Sequence, residues 1–341
     1  MAAPINPPVG QITSLGIGKE TTPGVAVVPT VFHAHMGWKA GDSNVMVRRT
    51  GARKRLGQTY PATGVYMTKG SLEVECDPDT LPQLMAFALG GQATPVAAGA
   101  SVVAKSQTLT MNTPLPSFTL QINRVTDAIS YFGCKVSSMV LGMSEKGGMT
   151  AKFTLDYLGS VVVTAAPPTF STKLPFEFHN PASFFKYKGA TIGNGGSNAV
   201  LTWECSLSNN LIDSYYSFGN GRFKLALPEQ QRVVTGKAEL GFELNAPILD
   251  FFGGSSGPGN VIAGVSIEMF VASTDYADPG ALLVPYSVDL LMANSYLESA
   301  TPDVKPDGIL TMPLIWESAE SANGASDDIR ITCTNTNSTI F

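Results

Sequence analysis

Thr68-Lys-Gly-Ser-Leu-Glu-Val-Glu-Cys-Asp-Pro-Asp-Thr-Leu-Pro-Gln-Leu-Met-Ala-Phe-Ala-Leu-Gly-Gly91 carries most of the information about the fold. From Gly70 to Asp77 polar and apolar residues alternate with period two, the mark of a strand buried on one face. After Asp77-Pro-Asp-Thr80 the alternation gives way to an apolar run from Leu81 to Leu89, which Asp79 or Thr80 can cap and Gly90-Gly91 stops; this predicts a short helix. The pattern returns in the second half of the chain. There Thr235-Gly-Lys-Ala-Glu-Leu-Gly-Phe-Glu-Leu244 is followed by Pro247-Ile-Leu-Asp-Phe-Phe-Gly-Gly254.

The segments after the two copies also match. Phe118-Thr-Leu-Gln-Ile corresponds to Val265-Ser-Ile-Glu-Met, and Val136-Ser-Ser-Met-Val-Leu-Gly-Met to Tyr286-Ser-Val-Asp-Leu-Leu-Met. Met149-Thr-Ala-Lys-Phe-Thr-Leu corresponds to Ile309-Leu-Thr-Met-Pro-Leu-Ile. Each copy is preceded by a long polar excursion, Asp42 to Tyr66 in one and Asn209 to Arg232 in the other. Four elements in one order point to internal duplication, with the boundary at the proline-containing Val163-Thr-Ala-Ala-Pro-Pro-Thr169. The expected architecture is mainly β: two similar domains, 1–165 and 166–341, each with a short flanking helix. Further alternating strands are expected at Cys134–Met143, Thr150–Tyr157, Ala199–Leu207, Ser287–Met292 and Ile309–Trp316.

The 341 residues contain 22 basic and 27 acidic side chains and only 14% charged residues, with 34 glycines and 23 prolines. So few charges suggest a surface covered by neighbouring copies, and the acidic balance argues against a general nucleic-acid binder. The first residues have no basic segment followed by an apolar one, and no apolar stretch approaches the roughly 20 residues that cross a bilayer; neither secretion nor membrane insertion is expected. Cys76, Cys134, Cys205 and Cys333 lie too far apart for a metal motif or a dense disulfide framework and are expected as buried free thiols.

No catalytic, cofactor or metal constellation is legible. His33-Ala-His35 could place two imidazoles on one strand face, but nothing nearby completes a ligand set, and His179 stands alone. The glycine-rich 193–197 and 253–259 lack the ending of a phosphate-binding loop. One charge cluster stands out: Arg48, Arg49, Arg53, Lys54 and Arg55 fall within eight residues of the first excursion. It is either a solvated loop, an arm that seeks acidic groups on another subunit, or a phosphate contact.

The opening Leu15-Gly-Ile-Gly-Lys-Glu-Thr-Thr-Pro-Gly-Val-Ala-Val-Val-Pro-Thr-Val-Phe32 resembles the start of siphophage tail tube (major tail) proteins. Lys69-Gly-Ser-Leu-Glu-Val-Glu-Cys-Asp-Pro-Asp-Thr-Leu81, Phe132-Gly-Cys-Lys-Val-Ser-Ser-Met-Val-Leu and Trp203-Glu-Cys-Ser-Leu-Ser-Asn-Asn-Leu211 resemble the same family. The resemblance implies a β-sandwich or barrel-like fold, six such domains closing a ring around a lumen, and rings stacking into a tube through long arms. With two domains per chain, three copies would supply the six. It implies a virion tail component assembled in the host cytoplasm. Its partners would be its own copies, tape-measure, terminator and distal tail proteins, and double-stranded DNA in passage. In such a ring the polar faces of the two alternating strands would set Glu73, Glu75, Glu239 and Glu243 toward the lumen or outward. Competing readings are a capsid decoration protein, a surface adhesin or a carbohydrate-active enzyme. Of these, the adhesin calls for a secretion or sorting signal and the enzyme for turnover of glycans.

Overall fold

The computed structural model describes residues 13–47, 62–124, 127–192, 199–219, 221–241, 246–255, 259, 262–280, 282–302, 310–320 and 327–337. The chain begins with β1 (Ser14–Lys19), β2 (Val31–His33) and β3 (His35–Ala40), followed by the hairpin β4 (Ser43–Val47) and β5 (Ala62–Met67). Then come β6 (Lys69–Glu75), α1 (Leu81–Leu89), the short β7 (Gly90–Gln92) and β8 (Val96–Ala97), and β9 (Lys105–Met111). β10 (Phe118–Arg124), β11 (Asp127–Ser144), β12 (Thr150–Asp156) and β13 (Gly159–Val163) complete the first half. The second half contains β14 (Phe184–Tyr187), β15 (Ala190–Ile192), β16 (Val200–Ser208), β17 (Val233–Gly241) and α2 (Ala246–Phe252). It ends with β18 (Val265–Asp278), β19 (Val284–Ser299), β20 (Thr311–Ser318) and β21 (Arg330–Asn335). All strands but β4 and β5 belong to one hydrogen-bonded network, which does not close into a barrel.

The alternation of residues 70–77 sets the burial. Leu72, Val74 and Cys76 are buried, while Ser71 and Glu75 are exposed. In β17, Ala238 and Leu240 are buried in the same way. α1 packs against β11 and β9, and its nine residues are all buried. A helix buried all round is apolar almost all round, and in Leu-Pro-Gln-Leu-Met-Ala-Phe-Ala-Leu Gln83 is the one polar side chain. Its start departs from the expected cap. The Thr80 hydroxyl makes no capping bond, and the Asp77 carboxylate instead accepts the amides of Asp79 and Thr80 at 2.7 and 3.3 Å. Its end obeys the glycines: Gly90 has φ 90°, and a Cβ there would lie 2.5 Å from the Asn112 carbonyl oxygen.

The two halves pair their strands in the same order. In the first, β3, β6, β12 and β11 lie side by side; β11 then continues into a layer with β10, β1 and β2, and β13 joins it. In the second, β16, β17, β20 and β19 lie side by side; β19 continues into a layer with β18, β14 and β15, and β21 joins it. The irregularities recur too. Register shifts fall between His35 and Gly37 against β6, and between Val200 and Thr202 against β17. They fall again between Phe118 and Leu120, and between Val265 and Ile267. A third matching pair lies between Val136 and Ser138, and between Leu297 and Ser299. Each bulge lets a long strand bend from one layer into the next.

Two ladders join the halves. The C-terminal part of β11 pairs with β16 from Ser138↔Ser208 to Ser144↔Thr202, and β9 pairs with β21 from Lys105↔Asn335 to Thr110↔Arg330. All four cysteines are free and buried. His33 and His35 do not share a strand face: His33 ends β2 and is buried, while His35 opens β3 beside the Thr13 hydroxyl at 3.1 Å.

Burial pushes the His33 imidazole down to about 4 from its ordinary 6.5, so it folds neutral. A proton therefore favours the unfolded chain, and the stability His33 contributes is complete above pH 6.5 and falls as pH drops toward 4. Relative to a His33→Gln variant, the native protein should lose about 3 kcal/mol between pH 7 and 4. Asp289 acts in the opposite sense, because burial and then Glu268 raise its carboxyl to about 6. That contribution is common to both proteins and cancels in the difference. Urea unfolding of both proteins at pH 7 and 4 measures the difference; equal losses in both would refute the assignment.

Candidate assembly interface

β3, β6, β12, β11, β16, β17 and β20 form a single run of strands that crosses from one half to the other. Because side chains alternate, one face of this run is the core and the other is polar. Glu73, Glu75 and Glu239 all fall on the polar face, which the expected pattern required; Glu243 lies outside the described residues. The face also carries Lys39, Lys152, Glu204 and Lys237. Lys152 is 3.5 Å from Glu73 across β12 and β6, and Lys237 is 3.0 Å from Glu204 across β17 and β16. Exposed Lys69 on β6 and Glu317 on β20 join them. Apart from the covered Asp156 and Lys135, five carboxylates stand against four ammonium groups and two pairs meet across strands, so the wall is of mixed sign with a small acidic excess.

The run ends on an open edge. Among the described residues β3 pairs only with β6, and its other side has no strand beside it. Unpaired backbone groups on such an edge are a template for another strand. β16 holds the matching position in the second half, with Trp203 opposite Ala238 where β3 has Trp38 opposite Leu72. β16 is covered, because β11 pairs with it.

The two polar excursions behave differently. The first is the β4–β5 hairpin, and its tip with Arg48, Arg49, Arg53, Lys54 and Arg55 lies outside the described residues. The second, 209–232, lies along the first half and is fastened there by charged groups that sequence spacing does not reveal. The Lys224 ammonium donates to the Thr68 carbonyl at 2.8 Å and to Asp156 at 3.3 Å, with both side chains of the ion pair almost wholly buried. Glu229 accepts from Lys135 at 2.8 Å and from the Leu115 amide at 2.7 Å, and Arg232 lies 3.3 Å from it. Burial by itself would raise the Glu229 carboxyl, but these hydrogen bonds and the charges of Lys135 and Arg232 hold it below the usual range. The Asn209 amide group donates to the carbonyls of Ala88 and Val136, both at 2.9 Å. This second arm is therefore a clamp on its own chain. Ion pairs between residues 68 and 94 positions apart leave no local signature, which is why Lys135, Asp156, Lys224 and Glu229 escape a reading of the sequence.

An unpaired sheet edge, a mixed-charge polar wall and long arms are devices for joining copies of a chain. Residues 10–308 match a family model described as phage tail tube protein. None of the curated proteins matches the sequence significantly.

Proposed function

Because this chain belongs to the phage tail tube protein family, we propose that three copies of it close into a ring with pseudo-sixfold symmetry, and that such rings stack into the tail tube of a siphophage. The observation that carries this reading is the repeated strand order, bulge for bulge, together with the β11–β16 ladder between the two halves. Two domains, 1–165 and 166–341, arose by duplication and now sit side by side as neighbouring subunits of a simpler ring would. Sheet continuity from one copy to the next then repeats the internal ladder: the open edge of β3 takes the role of β16, and the end of β19 in the next copy that of β11. Closing the ring removes the edges that otherwise invite aggregation.

The polar face carrying Glu73, Glu75 and Glu239, with Glu243, is the lumen wall in this reading. A wall on which carboxylates outnumber the cations and pair with some of them offers few free positive charges to neutralise phosphates, and each neutralised phosphate adds to binding. Viral DNA can then pass without adhering. Arg48, Arg49, Arg53, Lys54 and Arg55 bridge subunits. Tape-measure, terminator and distal tail proteins are the remaining partners, met during assembly in the host cytoplasm. Electron microscopy of the purified protein tests the ring. Three chains per ring with six similar lobes is the expected image, and six chains per ring would overturn it.

A further inference from the structure

Each ladder step in the second half has a counterpart in the first, and one step differs sharply in what covers it. Leu155 faces Gly70 as Trp316 faces Gly236, and one step on are the cross-strand pairs Lys135↔Asp156 and Tyr296↔Glu317. The third matched register shift begins beside both, so the equivalence holds on either side. In the first half this step is where the second arm lands: Lys224 sits on Asp156 and Glu229 on Lys135. As a result the Asp156 side chain is 1% exposed. In the second half no described side chain is bonded to Glu317, and of other segments only residues 111–113 and 230–232 border the cleft beside it. Glu317 is exposed, Tyr296 is 40% exposed and the neighbouring Ile315 38%. Large apolar side chains open to water beside a carboxylate make an unoccupied seat of the kind the first half has filled.

We propose that this seat on β19 and β20 receives the first arm, 42–66, of a second copy of the chain, with the arm's cations meeting Glu317 as Lys224 meets Asp156. The inference rests on the ring reading. It adds the receiving surface and a direction. Since the second arm reaches the adjacent half of its own chain, the first arm reaches the adjacent half of the next chain, so this contact runs around a ring. Charge complementarity fits the occupant. Five cations stand within eight residues of the arm, whereas Glu317 has Glu320, Asp327 and Asp328 near it. Burial, followed by the charges of Glu320, Asp327 and Glu317, raises the Asp328 carboxyl.

Reversing the exposed carboxylate by Glu317→Lys should leave the subunit folded, with an unchanged melting temperature, and abolish rings in electron micrographs and in sedimentation. Adding Arg53→Glu, Lys54→Glu and Arg55→Glu to that variant should restore them. Rings from Glu317→Lys alone, or no recovery with the reversed arm, would overturn the proposal. Absence of rings from the unaltered chain would instead overturn the ring reading itself, so the two failures are distinguishable.

Discussion

Lys224→Met should destabilise the subunit by about 3–5 kcal/mol, since it leaves Asp156 buried without its counter-charge. Lys224 and Asp156 are 2% and 1% exposed, so water cannot replace the lost partner while the arm stays in place. The Thr68 carbonyl loses its donor as well. The double variant Lys224→Met, Asp156→Leu should recover most of the loss, because an apolar pair of similar volume carries no desolvation cost. Urea unfolding of the three proteins measures both effects. If the arm lifts instead, Asp156 is hydrated, the cost shrinks and residues 209–232 become sensitive to protease. A single variant that is both as stable as the native chain and as protease-resistant would show that the clamp is not electrostatic.

The second large effect concerns the open edge of β3. Successive amides along a strand point to opposite sides, so of two neighbours such as Lys39 and Ala40 one turns its N–H toward β6 and the other toward the edge. Proline removes that N–H and is tolerated only where it faces no partner. Of the variants Lys39→Pro and Ala40→Pro, one should unfold or weaken the β3–β6 ladder. The other should fold normally and form no rings. Calorimetry combined with electron microscopy identifies which is which. Normal rings from both folded variants would mean that copies are not joined through this edge.

The sequence was most legible where strands are buried on one face only. β12 and β16 lie within one residue of the stretches whose alternation marks them. β11 and β19 are far longer than their alternation suggested, because each bends between layers at a bulge. At Ser137 and Ser138 two consecutive half-exposed residues interrupt the period of two. β17 begins earlier than expected, since Val233-Val-Thr-Gly shows no clear alternation. β1 was missed for a related reason. Leu15-Gly-Ile-Gly is covered on both faces, so nothing polar alternates with the two buried aliphatics, and Gly16 is needed where Pro29 and Phe32 press on the backbone. The acidic positions Glu73, Glu75 and Glu239 were legible as one face because alternation alone places them. Their ion pairs with lysines on adjacent strands were not, because cross-strand register is set by bulges and turns.

The four buried thiols also have a practical consequence for reactivity. Burial pushes the Cys205 thiol up to about 12 and raises those of Cys76, Cys134 and Cys333 well above the ordinary thiol range. Only the thiolate attacks an alkylating reagent, so the native subunit presents almost no nucleophilic sulfur at neutral pH. A cysteine introduced by Lys54→Cys or Glu317→Cys would then be the single reactive atom of its kind on the molecule. It could take a spin label, a fluorophore or a gold cluster without first removing any of the native four, and could be oxidised to its counterpart on another copy. The packing that hides these sulfurs thus leaves the surface chemically blank, and distances between copies can be measured on it one chosen position at a time.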